Sequence, residues 1–380
     1  MRTRTVRQQR NDPSQRPFIV IWEVTRACQL ACRHCRADAI TRAHPRQLTL
    51  DEGRRLLDQV ASFPKPHPLV VLTGGDPFER EDLAELVRYG TEIGLSVSLS
   101  PSVTPKLVPE RLAELREAGG KAVSLSLDGA RAATHDAFRG FAGTYAATRA
   151  AARMIRDAGF RLQVNSTVTS STVLELPALM SDVIGLGAAL WSVFFVVPTG
   201  RAARESMLSP DQTEDVLQWL ADMSHRIAIK TTEAPHYRRV VLQRAAGVTP
   251  QTGALYDQLT ELSQSELRDH PVPERPARPP IDVNAGRGFV FVSHVGEVFP
   301  SGFLPHSVGD IRTTTLPEIY RDSPLMRQLR TPSSFGGRCG RCEYGEVCGG
   351  SRSRAYALTR DLLAEDPACA YEPALEPSRA

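Results

Sequence analysis

The residues with the clearest chemical meaning in this chain are its cysteines. All seven fall into two clusters near the ends of the 380-residue sequence. The first has the spacing C-x3-C-x2-C and consists of Cys28, Cys32 and Cys35. The second begins with the spacing C-x2-C-x5-C and consists of Cys339, Cys342, Cys348 and Cys369. An odd number of cysteines, in a chain whose start lacks the apolar core of an export signal, argues against a disulfide framework, whereas such close spacings suit metal or iron–sulfur ligation.

The first cluster supplies three ligands, and this number distinguishes an iron–sulfur cluster from a zinc site. A cubane iron–sulfur cluster has four irons, so three thiolates leave one iron free to bind another molecule. A structural zinc site instead closes with four ligands, and the nearest additional donor, His34, lies inside the triplet beside Cys35. The triplet therefore favours an iron–sulfur cluster with an open iron, and zinc remains the alternative.

The elements that position these cysteines alternate between strands and helices. From residue 18 to about residue 235, short β-rich runs alternate with amphipathic helical patterns, which indicates an α/β fold built from βα units around a parallel sheet. The six predicted strands cover residues 18–23, 69–72, 96–100, 122–127, 161–168 and 190–196. Six units are two short of a complete (β/α)8 barrel, so we expect a partial (β/α)6 barrel, with a doubly wound sheet as the alternative. Either fold places ligands at the carboxyl ends of strands, where the first cysteine cluster lies.

The chain divides into four predicted segments. They are a mobile arm at 1–17, the barrel at 18–235, a linker or bridging segment at 236–280, and a small cysteine-rich domain at 281–380. The linker ends in the proline-rich sequence PVPERPARPP, which predicts a stiff extended connector. In the last segment, residues 288–293 and 296–300 predict a β-hairpin, and residues 316–329 predict a helix.

Composition and charge exclude several classes of protein. With 41% apolar and 23% charged residues, the chain has globular usage and is neither disordered throughout nor collagen-like. The net charge of +3 is too small over this length to indicate nucleic acid or an anionic membrane as a partner. The longest apolar stretch, residues 188–197, is far shorter than the roughly 20 residues that span a bilayer, so we expect a cytoplasmic protein.

Together these motifs resemble those of the radical S-adenosylmethionine (AdoMet) enzymes, whose hallmark is C-x3-C-x2-C. The sequences LTGGDP at residues 72–77 and SLSLDG at residues 124–129 are similar to two further motifs of that family. The resemblance implies a partial barrel in which Cys28, Cys32 and Cys35 hold a [4Fe–4S] cluster whose open iron chelates AdoMet. It also implies that an electron from an external donor cleaves AdoMet, and that the resulting 5′-deoxyadenosyl radical takes a hydrogen atom from the substrate.

The same resemblance assigns contacts to AdoMet. The predicted contact residues are Gly74, Gly75, Asp76, Ser126 and Arg139. The Gly-Gly-Asp turn matches the motif that receives the AdoMet amino group, the serine matches one that meets the ribose, and the arginine matches one that meets the carboxylate. An ordinary turn is the alternative for the first motif. For the arginine, which suits a carboxylate because its guanidinium forms two parallel hydrogen bonds, the alternative is a surface side chain beside Asp136.

The second cysteine cluster is similar to the SPASM/twitch extension of many radical AdoMet enzymes, in which such a set binds an auxiliary [4Fe–4S] cluster. Four thiolates close a site, and this fits a structural zinc ion as well. A full SPASM domain holds two clusters, but residues 291–303, where the ligands of the extra cluster would begin, contain no cysteine. The resemblance therefore predicts one auxiliary [4Fe–4S] cluster in a SPASM/twitch-like domain, with zinc as the alternative.

Several further sequences, FFVVPTGR, KTTEAPHYRRV, FPSGFLP and CGGSRSRAYA, resemble those of radical AdoMet enzymes from the alternative haem pathway. The resemblance implies a small-molecule substrate, an iron-containing tetrapyrrole, and a reaction such as oxidative decarboxylation of haem-precursor propionates. His236 is then a candidate axial ligand of the substrate iron, and Arg238 and Arg239 are candidate carboxylate contacts, with a solvated basic turn as the alternative.

Two other functions remain open from the sequence. A maturase that cross-links or modifies a ribosomal peptide would use the same two-cluster layout, although such enzymes often carry a fused peptide-recognition domain and only 17 residues precede the first predicted strand. A non-catalytic protein with two zinc sites would not need the GGDP and SLDG motifs or the barrel pattern.

Overall fold

The computed structural model of the protein describes residues 5–9, 12–270 and 276–374. Its parallel strands are β1 (Ile19–Thr25), β2 (Leu69–Gly74), β3 (Ser96–Leu99), β4 (Ala122–Ser126), β5 (Arg161–Val168), β6 (Leu190–Phe195) and β7 (Ile229–Thr232). The helices of the same part of the chain are α1 (Leu50–Ala61), α2 (Leu83–Glu92), α3 (Pro109–Glu117), α4 (Ala132–Arg139), α5 (Thr144–Asp157), α6 (Leu176–Gly185), α7 (Pro210–Met223), α8 (His236–Ala245) and α9 (Ala254–Glu266).

The sheet is wound in one direction. Strands β1 to β7 pair with their sequence neighbours in parallel and in unbroken order. A doubly wound sheet would reverse its order at a switch point, so the predicted partial barrel is confirmed and the doubly wound alternative is wrong. Strand β7 was not predicted, because Lys230 and two threonines interrupt the apolar run there.

The two faces of the sheet differ in polarity. On one face, Val20, Trp22 and Val24 are at most 1% exposed, and a Cβ on Gly53 of α1 would lie 2.6 Å from the Trp22 indole. Side chains alternate along a strand, so the residues between these buried ones face the barrel interior. Across β3 to β7 that interior face is largely polar and carries Ser98, Ser124, Ser126, Gln163, Asn165, Ser192 and Lys230. A parallel sheet covered on both faces would be apolar on both, so the interior is a polar space and not a packed core.

The C-terminal segment continues the same sheet. Its elements are β8 (Asn284–Ala285), β9 (Gly288–Val292), β10 (Glu297–Phe299), β11 (Gly309–Asp310), α10 (Leu316–Asp322), α11 (Pro324–Leu329), α12 (Gly337–Arg341) and α13 (Arg352–Thr359). Strand β9 pairs in parallel with β1, and β10 pairs antiparallel with β9, which confirms the predicted hairpin. The helix expected over 316–329 is two helices, because Ser323 leaves the helical conformation ahead of Pro324. The domain boundary near residue 281 stays a prediction.

Two other predicted segments are described only in part. Residues 1–4, 10–11 and 271–275, which belong to the predicted arm and connector, lie outside the described residues. In the described part of the arm, the backbone N–H of Arg7 donates to Pro280 O at 2.8 Å, and that of Gln9 donates to Asp282 Oδ1 at 3.0 Å. None of the helices in the described ranges combines the length and apolarity that crossing a bilayer requires.

Candidate functional site

The loop that carries the first cysteine cluster follows β1 and packs on the Gly-Gly-Asp turn at the end of β2. The N–H of Gly75 donates to Thr25 O at 2.9 Å, and that of Asp76 donates to Ala27 O at 2.7 Å. A Cβ on Gly74 would lie 2.4 Å from Thr25 O, and one on Gly75 would lie 2.4 Å from Ala27 O. Only glycine permits this approach, so the two glycines fix the backbone directly before Cys28.

Asp76 ties this turn to the loop after β3. Its fully buried carboxylate accepts hydrogen bonds from Phe78 N at 3.1 Å, Ser102 N at 3.3 Å and Thr104 Oγ1 at 2.7 Å. Burial raises the pKa of Asp76 to about 6, although these three donors act in the opposite direction. Ser102 Oγ in turn lies 3.6 Å from Cys28 Sγ. The Asp76 side chain is therefore occupied within the chain and positions the surroundings of Cys28.

The end of α4 supports the middle of the same loop. Gly140 ends the helix at φ +74°, and a Cβ there would lie 2.9 Å from Ala31 O. The backbone N–H of Arg33 donates to Phe138 O at 3.1 Å. His34 stacks on Phe138 with ring centroids 4.2 Å apart and a 17° interplanar angle, and its burial lowers the pKa of the imidazole to about 4. A neutral imidazole within the triplet thus packs on α4.

Arg139, the last residue of α4, points to this loop. It forms an ion pair with Asp128, and its Nη1 lies 3.7 Å from Cys32 Sγ. The Arg139 side chain is only 11% exposed, so the alternative of a surface arginine is wrong; Asp136 instead binds the start of α5. Burial lowers the pKa of Arg139, but Asp128 and Cys32 outweigh it and hold the pKa above its ordinary value. A permanent, buried positive charge therefore lies beside the triplet.

Ser126 belongs to a row of polar residues that crosses four strands. It pairs in register with Asn165 of β5, Asn165 pairs with Ser192 of β6, and Ser192 pairs with Lys230 of β7. Residues paired in parallel strands point to the same side of the sheet, so all four side chains face the barrel interior. The predicted ribose contact is thus one end of a polar row.

The segment after β6 also contacts the triplet; the sequence FFVVPTGR was noted for its resemblance, but none of its residues was assigned to this site. Gly200, at φ +60°, approaches so closely that a Cβ would lie 2.4 Å from Cys35 O. The backbone N–H of Arg201 donates to the same oxygen at 3.1 Å, while its side-chain Nε and Nη2 are buried without a hydrogen-bond partner among the described residues. A Pro-Thr-Gly turn directly after a predicted strand was the available signal.

The second cysteine cluster surrounds a cavity. Cys339, Cys342, Cys348 and Cys369 all line it. Cys339 Sγ accepts hydrogen bonds from Asp366 N and Arg352 Nη2, both at 3.4 Å. Burial raises the pKa of Cys348 to about 11 and that of Cys369 to about 12. Thiols buried in this way become thiolates only when a metal compensates the charge, and donors directed at sulfur stabilise such a ligand.

The three basic residues proposed as substrate contacts lie beside this cavity. Arg238 donates to the carbonyl oxygens of Val283 at 2.7 Å and Cys348 at 3.1 Å, and it is 5% exposed. Arg239, 3% exposed, is paired with Glu214. His236, 1% exposed, has Nε2 3.0 Å from a carboxylate oxygen of Asp366. Because all three are buried, the alternative of a solvated basic turn is wrong, and contact with a substrate iron and its carboxylates stays a prediction.

Known proteins resemble this chain over almost its full length. Residues 22–174 match the family model described as the Radical SAM superfamily. The chain is 37% identical over 369 residues to the AdoMet-dependent heme synthase of Oleidesulfovibrio alaskensis, covering 95% of this chain and 89% of that protein. It is 39% identical over 359 residues to the protein of the same name from Methanosarcina barkeri, covering 94% and 97%. The chain belongs to the radical SAM superfamily.

The fold of this radical SAM enzyme is similar to that of a larger protein of known structure. The chain matches Streptococcus suis SuiB bound to its precursor peptide SuiA with a TM-score of 0.64 and 14% identity, covering 94% of this chain and 76% of that chain. At this identity the likeness concerns the fold alone. A radical SAM enzyme uses a [4Fe–4S] cluster and AdoMet, and the open triplet and the donors around it fit this pair.

Proposed function

We propose that this radical SAM enzyme oxidatively decarboxylates propionate side chains of an iron-containing tetrapyrrole on the way to haem. The observation that carries the proposal is the likeness, at 37–39% identity and over more than nine-tenths of the chain, to three proteins named AdoMet-dependent heme synthase. A more distant relative, 27% identical, is the Fe-coproporphyrin III synthase of Methanosarcina barkeri. Its name also refers to an iron porphyrin.

The chemistry follows from the group that must be removed. When bound, the [4Fe–4S] cluster and AdoMet supply the one-electron chemistry that takes a hydrogen atom from the substrate. A propionate that loses this atom from its β-carbon keeps an unpaired electron there. The bond to the carboxylate then breaks, carbon dioxide leaves, and a vinyl group and one electron remain. The protein must therefore hold the propionate in place, exclude water and provide a route for that electron.

Cys28, Cys32 and Cys35 are the proposed ligands of the cluster that binds AdoMet. Leu30 N donates to Cys28 Sγ at 3.3 Å, and the Arg139 guanidinium lies beside Cys32, which supports a thiolate role for both sulfurs. The electron that starts the reaction is proposed to come from an external one-electron donor.

The AdoMet contacts are proposed at the strand ends around the triplet. Arg139 holds the AdoMet carboxylate; its burial and its permanent charge support this role. Ser126 binds the ribose from the interior face of β4. Gly74, Gly75 and Asp76 receive the amino group through the backbone of their turn, since the Asp76 carboxylate already accepts hydrogen bonds from Phe78, Ser102 and Thr104.

The proposed electron acceptor is one auxiliary [4Fe–4S] cluster. Its ligands are Cys339, Cys342, Cys348 and Cys369. All four line one cavity, and Cys339 Sγ accepts hydrogen bonds from Asp366 N and Arg352 Nη2, which supports a thiolate ligand there. A zinc ion, which also takes four thiolates, is the alternative. Ser301 lies where the ligands of a second auxiliary cluster would begin, and its Oγ donates a hydrogen bond to Glu233 Oε1 at 3.1 Å. This supports one auxiliary cluster and not two.

Peptide maturation is the less supported function. The PqqA peptide cyclase of Rhodopseudomonas palustris is 28% identical to this chain, about ten percentage points below the haem synthases. The structural likeness to SuiB does not favour it, because the fold is common to both classes.

Anaerobic turnover with coprohaem, followed by mass spectrometry of the porphyrin, tests the proposal. We expect a loss that matches one and then two carboxyl groups with their β-hydrogens, together with 5′-deoxyadenosine. Reduced protein with the Cys32→Ala substitution is the control and yields neither product. Unchanged coprohaem, in a sample that cleaves AdoMet and modifies a peptide, would overturn the proposal.

A further inference from the structure

The polar row across β4 to β7 ends in a cation. Lys230 is one of only four lysines in a chain with 46 basic residues. Its neighbour Ile229 is 1% exposed in the core on the helix side of the sheet, so the Lys230 side chain leaves β7 on the interior face. Adjacent strands lie about 4.8 Å apart, which puts Lys230 on the order of 14 Å from Ser126 along the sheet.

The Lys230 ammonium has neither a hydrogen bond nor an ion pair with any described residue, and its side chain is half-buried. Burial lowers its pKa to about 8, and the positive charge of Arg278 acts in the same direction. The group is therefore still largely protonated near neutral pH. A half-buried cation without a counter-ion loses part of its hydration, and a ligand carboxylate would offset this loss.

We propose that Lys230 binds a carboxylate of the substrate inside the barrel, namely a propionate that is not the one reacting at AdoMet. The inference rests on the proposed function and adds a residue that orients the macrocycle. Two features of the geometry carry it. The row Ser126, Asn165, Ser192 and Lys230 runs from the AdoMet side of the interior to the opposite wall, and Lys230 supplies the positive charge of that row. A tetrapyrrole with several propionates presents carboxylates at both ends of such a distance.

The test is the binding of coprohaem and of its methyl ester to the reconstituted holoenzyme, followed by the change in the porphyrin absorption band. The variants are Lys230→Met and Lys230→Arg, and Lys121→Met is the control because Lys121 is an exposed lysine just before β4. We expect Lys230→Met to weaken coprohaem binding by about tenfold or more, and Lys230→Arg to retain most of it. Binding of the ester, which has no carboxylate, should be the same in all variants.

Turnover gives a second readout. Without its anchor, the macrocycle is held less well, so Lys230→Met should form less vinyl product for each AdoMet cleaved, while cleavage in the absence of substrate stays at the level of the unmodified enzyme. Equal coprohaem affinity in Lys230→Met and the unmodified enzyme would overturn the assignment of Lys230 but not the proposed function. Absence of coprohaem binding in the unmodified enzyme would contradict the proposed function and, with it, this assignment.

Discussion

The two cysteine sites are held in different ways. Around the first, the close contacts are between backbones: Gly75 lies against Ala27, and Gly200 against Cys35. Around the second, buried charged side chains support the loops that carry the cysteines. Arg354, 1% exposed, donates to both carboxylate oxygens of Asp366 at 3.1 and 3.0 Å. Backbone support leaves the side chains at the strand ends available for a ligand, whereas at the second site four partly buried thiols line one cavity beside the charge network. With three thiols the first site is open and with four the second is closed, which fits the proposed roles in AdoMet binding and electron acceptance respectively.

The largest expected difference between the two sites is in AdoMet cleavage. Cys28→Ala removes one of the three proposed ligands of the open cluster and should abolish formation of 5′-deoxyadenosine. Cys348→Ala should impair turnover of coprohaem much more than cleavage without substrate, because only turnover needs an electron acceptor. Liquid chromatography of 5′-deoxyadenosine and of porphyrin products from the same samples measures both. Equal loss of both activities in a well-folded Cys348→Ala protein would contradict the division.

The charge network of the closed site gives the next largest effect. Arg354 and His236 hold the pKa of Asp366 far below its ordinary value despite its burial. Asp366→Asn leaves the Arg354 guanidinium buried without its counter-ion, so the free energy of unfolding should fall by about 3–5 kcal/mol. Urea unfolding of the holoenzyme measures this. Glu365→Gln is the matched control, because the Glu365 side chain is 38% exposed in its ion pair with Arg338 and should change stability little. Equal effects of the two substitutions would argue against an enclosed network.

How far the sequence predicts the fold and the sites depends on the range of the interactions concerned. Local patterns suffice for α1 (Leu50–Ala61), because Thr49 and Glu52 form a capping box within four residues. They also place the cysteine triplet after β1. Pairings over long distances escape such patterns. Arg139 is nearest in sequence to Asp136 but pairs with Asp128, and nothing near Arg238 in sequence indicates its contact with Cys348.

The open site predicts a moderate effect on AdoMet affinity. Arg139→Lys keeps a positive charge opposite Asp128 but cannot form two parallel hydrogen bonds to the AdoMet carboxylate. The KM for AdoMet should rise by about tenfold or more. Steady-state formation of 5′-deoxyadenosine at varied AdoMet measures it, and Arg131→Lys is the control because the Arg131 side chain is 77% exposed. An unchanged KM in Arg139→Lys would remove Arg139 from the AdoMet site.

The smallest effect concerns the contact between the two regions. Arg312 Nε of the C-terminal segment donates to Glu52 Oε1 at 2.7 Å, and this bond, with the backbone N–H of Thr49, lowers the pKa of Glu52 to about 2. A carboxyl with a lowered pKa stabilises the fold above its ordinary pKa, and this contribution is lost as the pH falls toward about 2.

Between about pH 6 and pH 3, the free energy of unfolding should therefore fall by up to about 1 kcal/mol more in the unmodified protein than in Glu52→Gln, after allowance for solvent screening. Urea unfolding at both pH values measures it. Glu85→Gln, at a 52% exposed side chain of α2, should follow the unmodified protein. Parallel pH profiles for Glu52→Gln and the unmodified protein would show that the two regions do not depend on this bond.

The most direct test of the account follows the hydrogen atom itself. Coprohaem deuterated at the β-carbons of its propionates is incubated with the reduced holoenzyme and AdoMet, and the 5′-deoxyadenosine is analysed by mass spectrometry. The account predicts one deuterium in 5′-deoxyadenosine together with a vinyl-bearing porphyrin. Unlabelled 5′-deoxyadenosine beside intact coprohaem would contradict it.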